Sequence, residues 1–411
     1  MDVYVHRLIE PILRKMTAQF PVVALTGPRQ SGKSTLLQKI FPEHKYLTLD
    51  DPLTLQQALD DPELLLDSAG SPMVIDEIQY APSLLPRLKL RVDRERAARG
   101  RFLLTGSQQF ILMKGLGETL AGRIGLLELL PFSLEEKTHC PGMARLAEQP
   151  RKALVSACLQ GSYPEPVLDS RLEARRWYSA YVRTYLERDI RSLYDIGSLR
   201  EFERFLQLLA ARCAQTLNLS ALATDVGVAV NTIKRWISIL EACRIIYLLP
   251  PYHNNLGKRL IKAPKVYFLD AGLVCYLTGL HDPEHLLHGP LAGPLFENFC
   301  IQEIIKVFAA SGESPRLYFL RTSAGLEVDL LIEGPAGGKL YPFEFKLSAT
   351  PRAEMAGPLE QFRAQFAALK PAPGFIVSLA TVNRPLTADT QLLPVADFLA
   401  FVRRECLPAG K

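Results

Sequence analysis

The run Gly27-Pro28-Arg29-Gln30-Ser31-Gly32-Lys33-Ser34 has the pattern G-x-x-x-x-G-K-[ST]. An apolar run precedes it, and a helix-compatible run starting at Thr35 follows it. Glycines let a backbone wrap closely around phosphate oxygens. Successive N–H groups and a helix N-terminus then aim partial positive charge at the anion. In that chemistry residues Gly27 to Thr35 cradle the phosphates, Lys33 reaches the β- and γ-phosphates, and Ser34 ligates Mg²⁺. About forty residues further on, Asp76-Glu77 follows the apolar Met73-Val74-Ile75. Asp76 would hold the magnesium shell, and Glu77 would polarise an attacking water. Alone, two such acids also fit a solvated turn; the phosphate loop upstream favours the chemical reading. Leu103-Leu104-Thr105-Gly106-Ser107-Gln108 ends an apolar run in small polar groups. Ser107 or Gln108 could touch the γ-phosphate or the water, or form a plain strand-end turn. Arg123 could act as an arginine finger toward a neighbouring subunit's nucleotide, or be a surface arginine capping a helix.

Two further constellations lie downstream. In residues 231–240, Ile233, Trp236, Ile237 and Leu240 recur at helical spacing and leave Asn231, Thr232, Lys234, Arg235 and Ser238 outward. A preceding short helix, with Ser220 as its expected N-cap and Gly227 as its stop, completes a helix-turn-helix pattern. A hairpin follows and carries Lys258 and Arg259. Residues 231–265 hold seven basic side chains against one acid, Glu241. Lys234, Arg235, Lys258 and Arg259 are expected against DNA phosphates, with Asn231 or Thr232 near base edges. Packing against protein is the plain alternative. Near the C-terminus, Glu297 sits early in an expected helix, Asp329 on a strand, and Glu344 and Lys346 on the next strand. Residues two apart on a strand share a face. Glu344 and Lys346 therefore point together, toward Asp329 if the strands pair. Such a set can hold a second divalent metal and orient a water for phosphodiester hydrolysis. A hairpin of alternating charge is the plain reading.

The elements that must position these groups follow from periodicity. Short apolar runs at 21–26, 45–49, 73–75, 101–105 and 124–129 alternate with helix-length segments such as 83–99. That alternation implies an α/β fold with a parallel sheet and crossover helices. The rhythm stops after Pro131, and 135–212 reads as helical. Its aromatic-arginine stripe (Trp177, Tyr178, Tyr181, Arg183, Tyr185, Arg188, Arg191) could stack bases; core packing is the favoured reading. A long helix is expected over 296–308, with strands over 316–321, 327–333, 340–347 and 374–378. The chain of 411 residues, 48% hydrophobic and 22% charged with a net charge of +5, has the composition of a multi-domain globular protein. That excludes a disordered chain, a collagen and a small disulfide scaffold. Seven scattered cysteines, none spaced C-x-x-C, point to buried thiols in a reducing compartment. No membrane-length apolar run is present, the first residues lack a secretory signal, and a cytoplasmic location is expected.

In order, Gly27 to Ser34, Leu49-Asp50-Asp51-Pro52, Ile75-Asp76-Glu77-Ile78-Gln79, Leu104-Thr105-Gly106-Ser107 and Ala121-Gly122-Arg123 resemble the AAA+ ATPase domain of a large prokaryotic family. Gly161-Ser162-Tyr163-Pro164-Glu165-Pro166 and residues 181–189 resemble that family's linking region. The resemblance implies ATP and Mg²⁺ as cofactors, a P-loop ATPase acting as a switch or motor, and a C-terminal domain of unknown function. Residues 201–280 resemble a winged-helix unit. The order of Glu297, Asp329, Glu344 and Lys346 resembles the PD-(D/E)XK nuclease fold. The expected organisation is an AAA+ core at 1–134, a helical lid and linker at 135–200, the winged-helix unit at 201–280 and the nuclease-like α/β domain at 281–411. The expected function is ATP turnover coupled to DNA binding or remodelling, with self-association. An ATP-gated protein-interaction switch and an ATP-regulated nuclease are the alternatives.

Overall fold

The computed structural model describes residues 4–106, 120–140, 146–184, 198–252, 262–335 and 339–408. The chain divides into two compact units. One comprises Met1–Phe132 with Ala242–Arg244 and Ala309–Glu313; the other comprises Ser133–Glu241, Ile245–Phe308 and Ser314–Lys411.

The first unit is built on five strands: β1 (Val22–Thr26), β2 (Lys45–Thr48), β3 (Met73–Asp76), β4 (Phe102–Gly106) and β5 (Ile124–Glu128). All pair in parallel, in the order β2-β3-β4-β1-β5. The two-residue period of a strand sorts each apolar run onto two faces. Val22, Ala24, Met73, Ile75, Phe102 and Leu104 pack with Leu65, Leu66, Leu84, Leu85 and Leu88 from the helices Pro62–Ala69 and Leu84–Arg94. Val23, Leu25, Val74 and Leu103 point the other way, onto Leu13, Leu36, Leu37 and Ile40 of the helices Glu10–Gln19 and Lys33–Ile40. Burial on both faces is why these strands read as unbroken apolar runs. Every expected strand of this unit forms, with ends displaced by a residue or two, as is usual at element boundaries.

In the second unit the helices Leu134–Thr138, Pro150–Gln160, Pro164–Leu168 and Ala174–Tyr181 follow the sheet, and Leu199–Ala210 comes next. Tyr163, Trp177, Tyr178 and Tyr181 are all buried. The Trp177 ring stacks on Tyr181 with centroids 5.0 Å apart and lies 4.9 Å from Tyr163. Its indole N–H donates to Glu165 at 2.9 Å. The described aromatic residues of the stripe are therefore core, whereas Arg183 is exposed; Tyr185, Arg188 and Arg191 lie outside the described residues. Gly161 shows why this segment needs glycine. Its φ is +75°, and a Cβ there would sit 1.7 Å from the Tyr178 hydroxyl.

The expected helix pair appears as Leu219–Val226 and Val230–Ala242, followed by an antiparallel hairpin of β6 (Ile246–Leu249) and β7 (Lys265–Phe268). Gly227 adopts the left-handed conformation that ends the first helix. The N-cap is Asn218 rather than Ser220: the Asn218 side chain accepts the Ala221 N–H at 3.0 Å, which places Ser220 inside the first turn. After the helix Ala292–Ser311 comes a mixed sheet in the order β12-β13-β11-β10-β9-β8. Its strands are β8 (Leu317–Arg321), β9 (Glu327–Glu333), β10 (Leu340–Lys346), β11 (Gly374–Ser378), β12 (Arg384–Pro385) and β13 (Thr390–Pro394). β8, β9 and β10 pair antiparallel, whereas β10, β11 and β13 pair in parallel. Among the described residues no helix is long and apolar enough to cross a membrane. All seven cysteines are buried, and none forms a disulfide.

Trp177→Ala should remove about 3–5 kcal/mol from the stability of the second unit, the usual cost of emptying a buried aromatic site. Denaturant unfolding of the full chain would detect it, and an unchanged midpoint would mean the stripe is not packed core.

Candidate functional site

The phosphate loop leaves the carboxyl end of β1 and enters the helix Lys33–Ile40. Three of its residues hold left-handed or equivalent backbone: Gly27 at φ +145°, Gln30 at +66° and Gly32 at +89°. Gly27 is confined by its neighbour, since a Cβ there would lie 2.1 Å from the Leu129 carbonyl oxygen. That close approach ties the loop to the chain just beyond β5. A second tie comes from a residue the sequence reading missed. The buried Arg7 donates to the Ser31 carbonyl at 2.9 Å and to the Leu130 carbonyl at 2.6 Å, with its guanidinium over the Phe132 ring. Nothing in the local pattern around Arg7 marks it, because its partners come from distant chain.

Lys33 is buried, and its ammonium donates to the Gly27 and Pro28 carbonyls at 3.1 and 2.9 Å. Burial pushes this amine below its ordinary pKa, while Glu77 and Asp76 oppose the shift. Asp76 ends β3 and is the centre of the site. Its carboxylate accepts the Ser34 hydroxyl at 2.8 and 3.0 Å, and also the hydroxyls of Tyr46 and Thr105. Burial, reinforced by the Asp76 bond, pushes the Tyr46 phenol up, so it remains a donor at neutral pH. Thr105 Oγ1 also accepts the Glu77 N–H at 3.1 Å. Glu77 has φ +57°, a left-handed conformation uncommon for a side-chain-bearing residue, and the Gln79 amide donates to its carboxylate. Tyr46, Thr105 and Gln79 were not singled out from sequence. The roles of Tyr46 and Thr105 follow from strand order, which sets the ends of β2 and β4 on either side of β3, whereas Gln79 reaches Glu77 from the turn that follows β3.

These residues fit a nucleotide phosphate and Mg²⁺. The loop supplies the backbone conformation of an anion cradle, a buried ammonium lies against it, and a hydroxyl and a carboxylate stand together as hard oxygen donors. The expected companions fare less uniformly. Ser107 and Gln108 lie outside the described residues. Arg123 pairs with Asp93 at 2.7 Å, near the end of the helix Leu84–Arg94, rather than extending away as a finger. On the helix Val230–Ala242, Asn231, Lys234 and Arg235 are exposed as expected, whereas Thr232 is half-buried. Lys258 and Arg259 lie outside the described residues. The basic surface is smaller than the count of charges implies. Arg244 is held bidentate by Glu128, and Lys265 is buried.

Glu297, Asp329, Glu344 and Lys346 do come together. The β9–β10 pairing sets Asp329 beside Glu344, so that Glu344 accepts the Asp329 N–H at 3.3 Å and Asp329 accepts the Phe345 N–H at 3.0 Å. Lys346 donates to Glu344 at 2.8 Å. Burial pushes the Glu297 carboxyl up to about 7, with Asp329 adding to the shift. The same two causes raise Glu344. The set does not fit a second metal, because the Lys265 ammonium lies among its carboxylates, 3.0 Å from Glu297 and 3.6 Å from Asp329. Among the described residues no group of three or more metal-ligating side chains is arranged to hold an ion.

The first of these sites lies within a segment that matches a known family. A family described as an AAA domain matches residues 19–138, and domains of unknown function match residues 151–284 (DUF8612) and 292–398 (DUF4143). The uncharacterised proteins Rv2008c of Mycobacterium tuberculosis and Mb2031c of Mycobacterium bovis are each 32% identical to this chain over 342 residues, or 82% of this chain and 73% of theirs. Among solved structures, the Walker-type ATPase PABY2304 of Pyrococcus abyssi is similar with a TM-score of 0.45 and 15% identity, covering 67% of this chain and 96% of that one.

Thr105→Val keeps the shape of the residue while removing a donor to Asp76 and an acceptor for Glu77. Mg²⁺-dependent ATP turnover should fall by about 10–100-fold, the range seen when a supporting partner of a metal ligand is lost. Titrating Mg²⁺ against rate would show it; an unchanged curve would remove Thr105 from the site.

Proposed function

The chain belongs to the family of the mycobacterial protein Rv2008c and is a prokaryotic AAA ATPase, and from that premise we propose that it hydrolyses ATP at Lys33, Ser34, Asp76 and Glu77 and couples turnover to DNA engagement. The observation that carries the hydrolytic part is the Ser34–Asp76 pair at the mouth of the phosphate loop. Lys33 would exchange two loop carbonyls for phosphate oxygens, a gain in charge complementarity at little cost in geometry. Mg²⁺ held by Ser34 and Asp76 supplies neutralisation of charge on the β- and γ-phosphates. Glu77 orients a water and takes its proton, and Gln79 sets the direction of that carboxylate. Arg123 stays with Asp93 in this reading and takes no part in the chemistry.

The DNA part rests on the exposed Asn231, Lys234 and Arg235 on one helix, with exposed Lys262 nearby in sequence. In a winged-helix arrangement that face would meet the duplex, with the basic residues on phosphates and Asn231 near base edges. The inward placement of Arg244 and Lys265 favours a second reading, in which the same helix pair binds a protein and ATP gates that contact.

Lys33→Ala should abolish ATP hydrolysis, and Glu77→Gln should retain ATP binding while lowering kcat by about 10²–10⁴-fold. Hydrolysis that persists in both variants would refute the assignment. Lys234→Glu with Arg235→Glu should weaken duplex binding and make the slope of log affinity against log salt shallower by about 2. ATP turnover indifferent to duplex, single-strand and branched DNA would leave the protein-binding reading.

A further inference from the structure

Carboxylates of the C-terminal sheet and of the helix Ala292–Ser311 surround a lysine. Lys265 opens β7 and is almost wholly buried. Its ammonium lies 2.8 Å from Glu327, 3.0 Å from Glu297 and 3.6 Å from Asp329. An ammonium has three N–H donors, and here three carboxylates face it. Tyr267, two residues on and therefore on the same strand face, donates to the same Glu297 oxygen at 2.6 Å. The remaining acid has a partner of its own, since Glu344 holds Lys346, and Arg321 adds a second cation 3.4 Å from Glu327. Burial alone would push the Lys265 amine down, yet the surrounding carboxylates outweigh it and hold the amine above its ordinary range. The three carboxylates around it favour the charged ammonium.

A hard divalent ion in this place would need direct contact with the same oxygens, at about 2.0–2.2 Å for Mg²⁺ or Mn²⁺. A tethered ammonium 2.8 to 3.6 Å from them competes with such an ion by volume and by charge. Two cations sharing this space would repel strongly in a poorly solvated setting. Lys265 comes from the hairpin, outside the sheet that supplies Asp329 and Glu344. It thus supplies from another element the positive charge the acids need.

We propose that Lys265 is the resident cation of the Glu297–Glu327–Asp329 cluster, so that this part of the chain keeps its carboxylate array without a divalent metal and does not cleave phosphodiesters. The array then works as a lock between the hairpin strand and the C-terminal sheet. This inference does not depend on the ATPase reading, because its test counts metal in the absence of nucleotide.

The experiment is Mn²⁺ binding to the full-length chain, followed by isothermal titration and by the electron paramagnetic resonance of free Mn²⁺. Wild type and Asp329→Asn should bind the same number of ions, since the cluster contributes none. Lys265→Met should gain one Mn²⁺ per chain, and Lys265→Met with Asp329→Asn should lose it again. Wild type binding one more ion than Asp329→Asn would overturn the proposal. So would a folded Lys265→Met that gains none. If Lys265→Met does not fold, the comparison of wild type with Asp329→Asn decides alone, equal stoichiometry supporting a cluster without a divalent metal and unequal stoichiometry ending it.

Discussion

The carboxylate of Asp76 organises the nucleotide end of the first unit. It is buried at the end of β3, and three hydroxyls from three other elements meet it: Ser34 from the helix after the phosphate loop, Tyr46 from β2 and Thr105 from β4. A buried carboxylate without donors is strongly unfavourable, so these contacts are conditions on the fold and not additions to it. They hold only if β2, β3 and β4 run parallel with their ends level. The observed register provides that, pairing Thr48 with Asp76 and Ile75 with Leu104. The apolar split of the strands between two layers of helix is what keeps the register, since a slip of one residue would turn each core face into the wrong layer.

Buried lysines recur, and their partners distinguish their roles. Lys33 donates to two backbone carbonyls, which are dipoles, and an incoming phosphate can outcompete them. Lys265 faces carboxylates, which are full charges, and has no better anion to move to. A third case lies beside the Gly161-Ser162-Tyr163 motif. Lys137 donates to the Gly161 carbonyl at 3.0 Å, and Lys306 bonds the Ser162 hydroxyl at 3.0 Å and Glu303 at 2.8 Å. The other Glu303 oxygen accepts the Leu134 N–H, and Asp270 accepts the Ser162 N–H. Burial pulls the Lys137 amine down to about 8, with Lys306 adding to the shift. Such a network adds little net stability over an apolar core, but it requires each partner to be in place. It explains why a short polar motif in a helical region stands where apolar residues would otherwise serve.

Charge counted along the chain proved a poor guide to charged surface. The seven basic residues of 231–265 look like one patch in sequence. In the structure Lys265 neutralises acids from the C-terminal sheet, and Arg244 is held by Glu128. Those partners lie tens of residues away or more, so no local window could have found them. The exposed Lys234 and Arg235 were legible, because helical spacing places them opposite Ile233, Trp236 and Ile237 whatever the tertiary context.

The amino-acid sequence by itself determined the parallel sheet, the phosphate loop and the pair Asp76-Glu77. Each depends on local rules: alternation of apolar runs, the conformational freedom of glycine, and a lysine at a helix start. It also determined that Glu344 and Lys346 share a strand face. The tertiary structure alone decided what those groups meet. Strand order brought Tyr46 and Thr105 to Asp76, and it set Arg123 on Asp93. The approach of β7 placed Lys265 among the acids that the sequence offered as metal ligands. The physical reason is the range of the interactions. Backbone propensity and side-chain periodicity act over a few residues, whereas the identity of a counter-ion depends on which distant strand packs alongside.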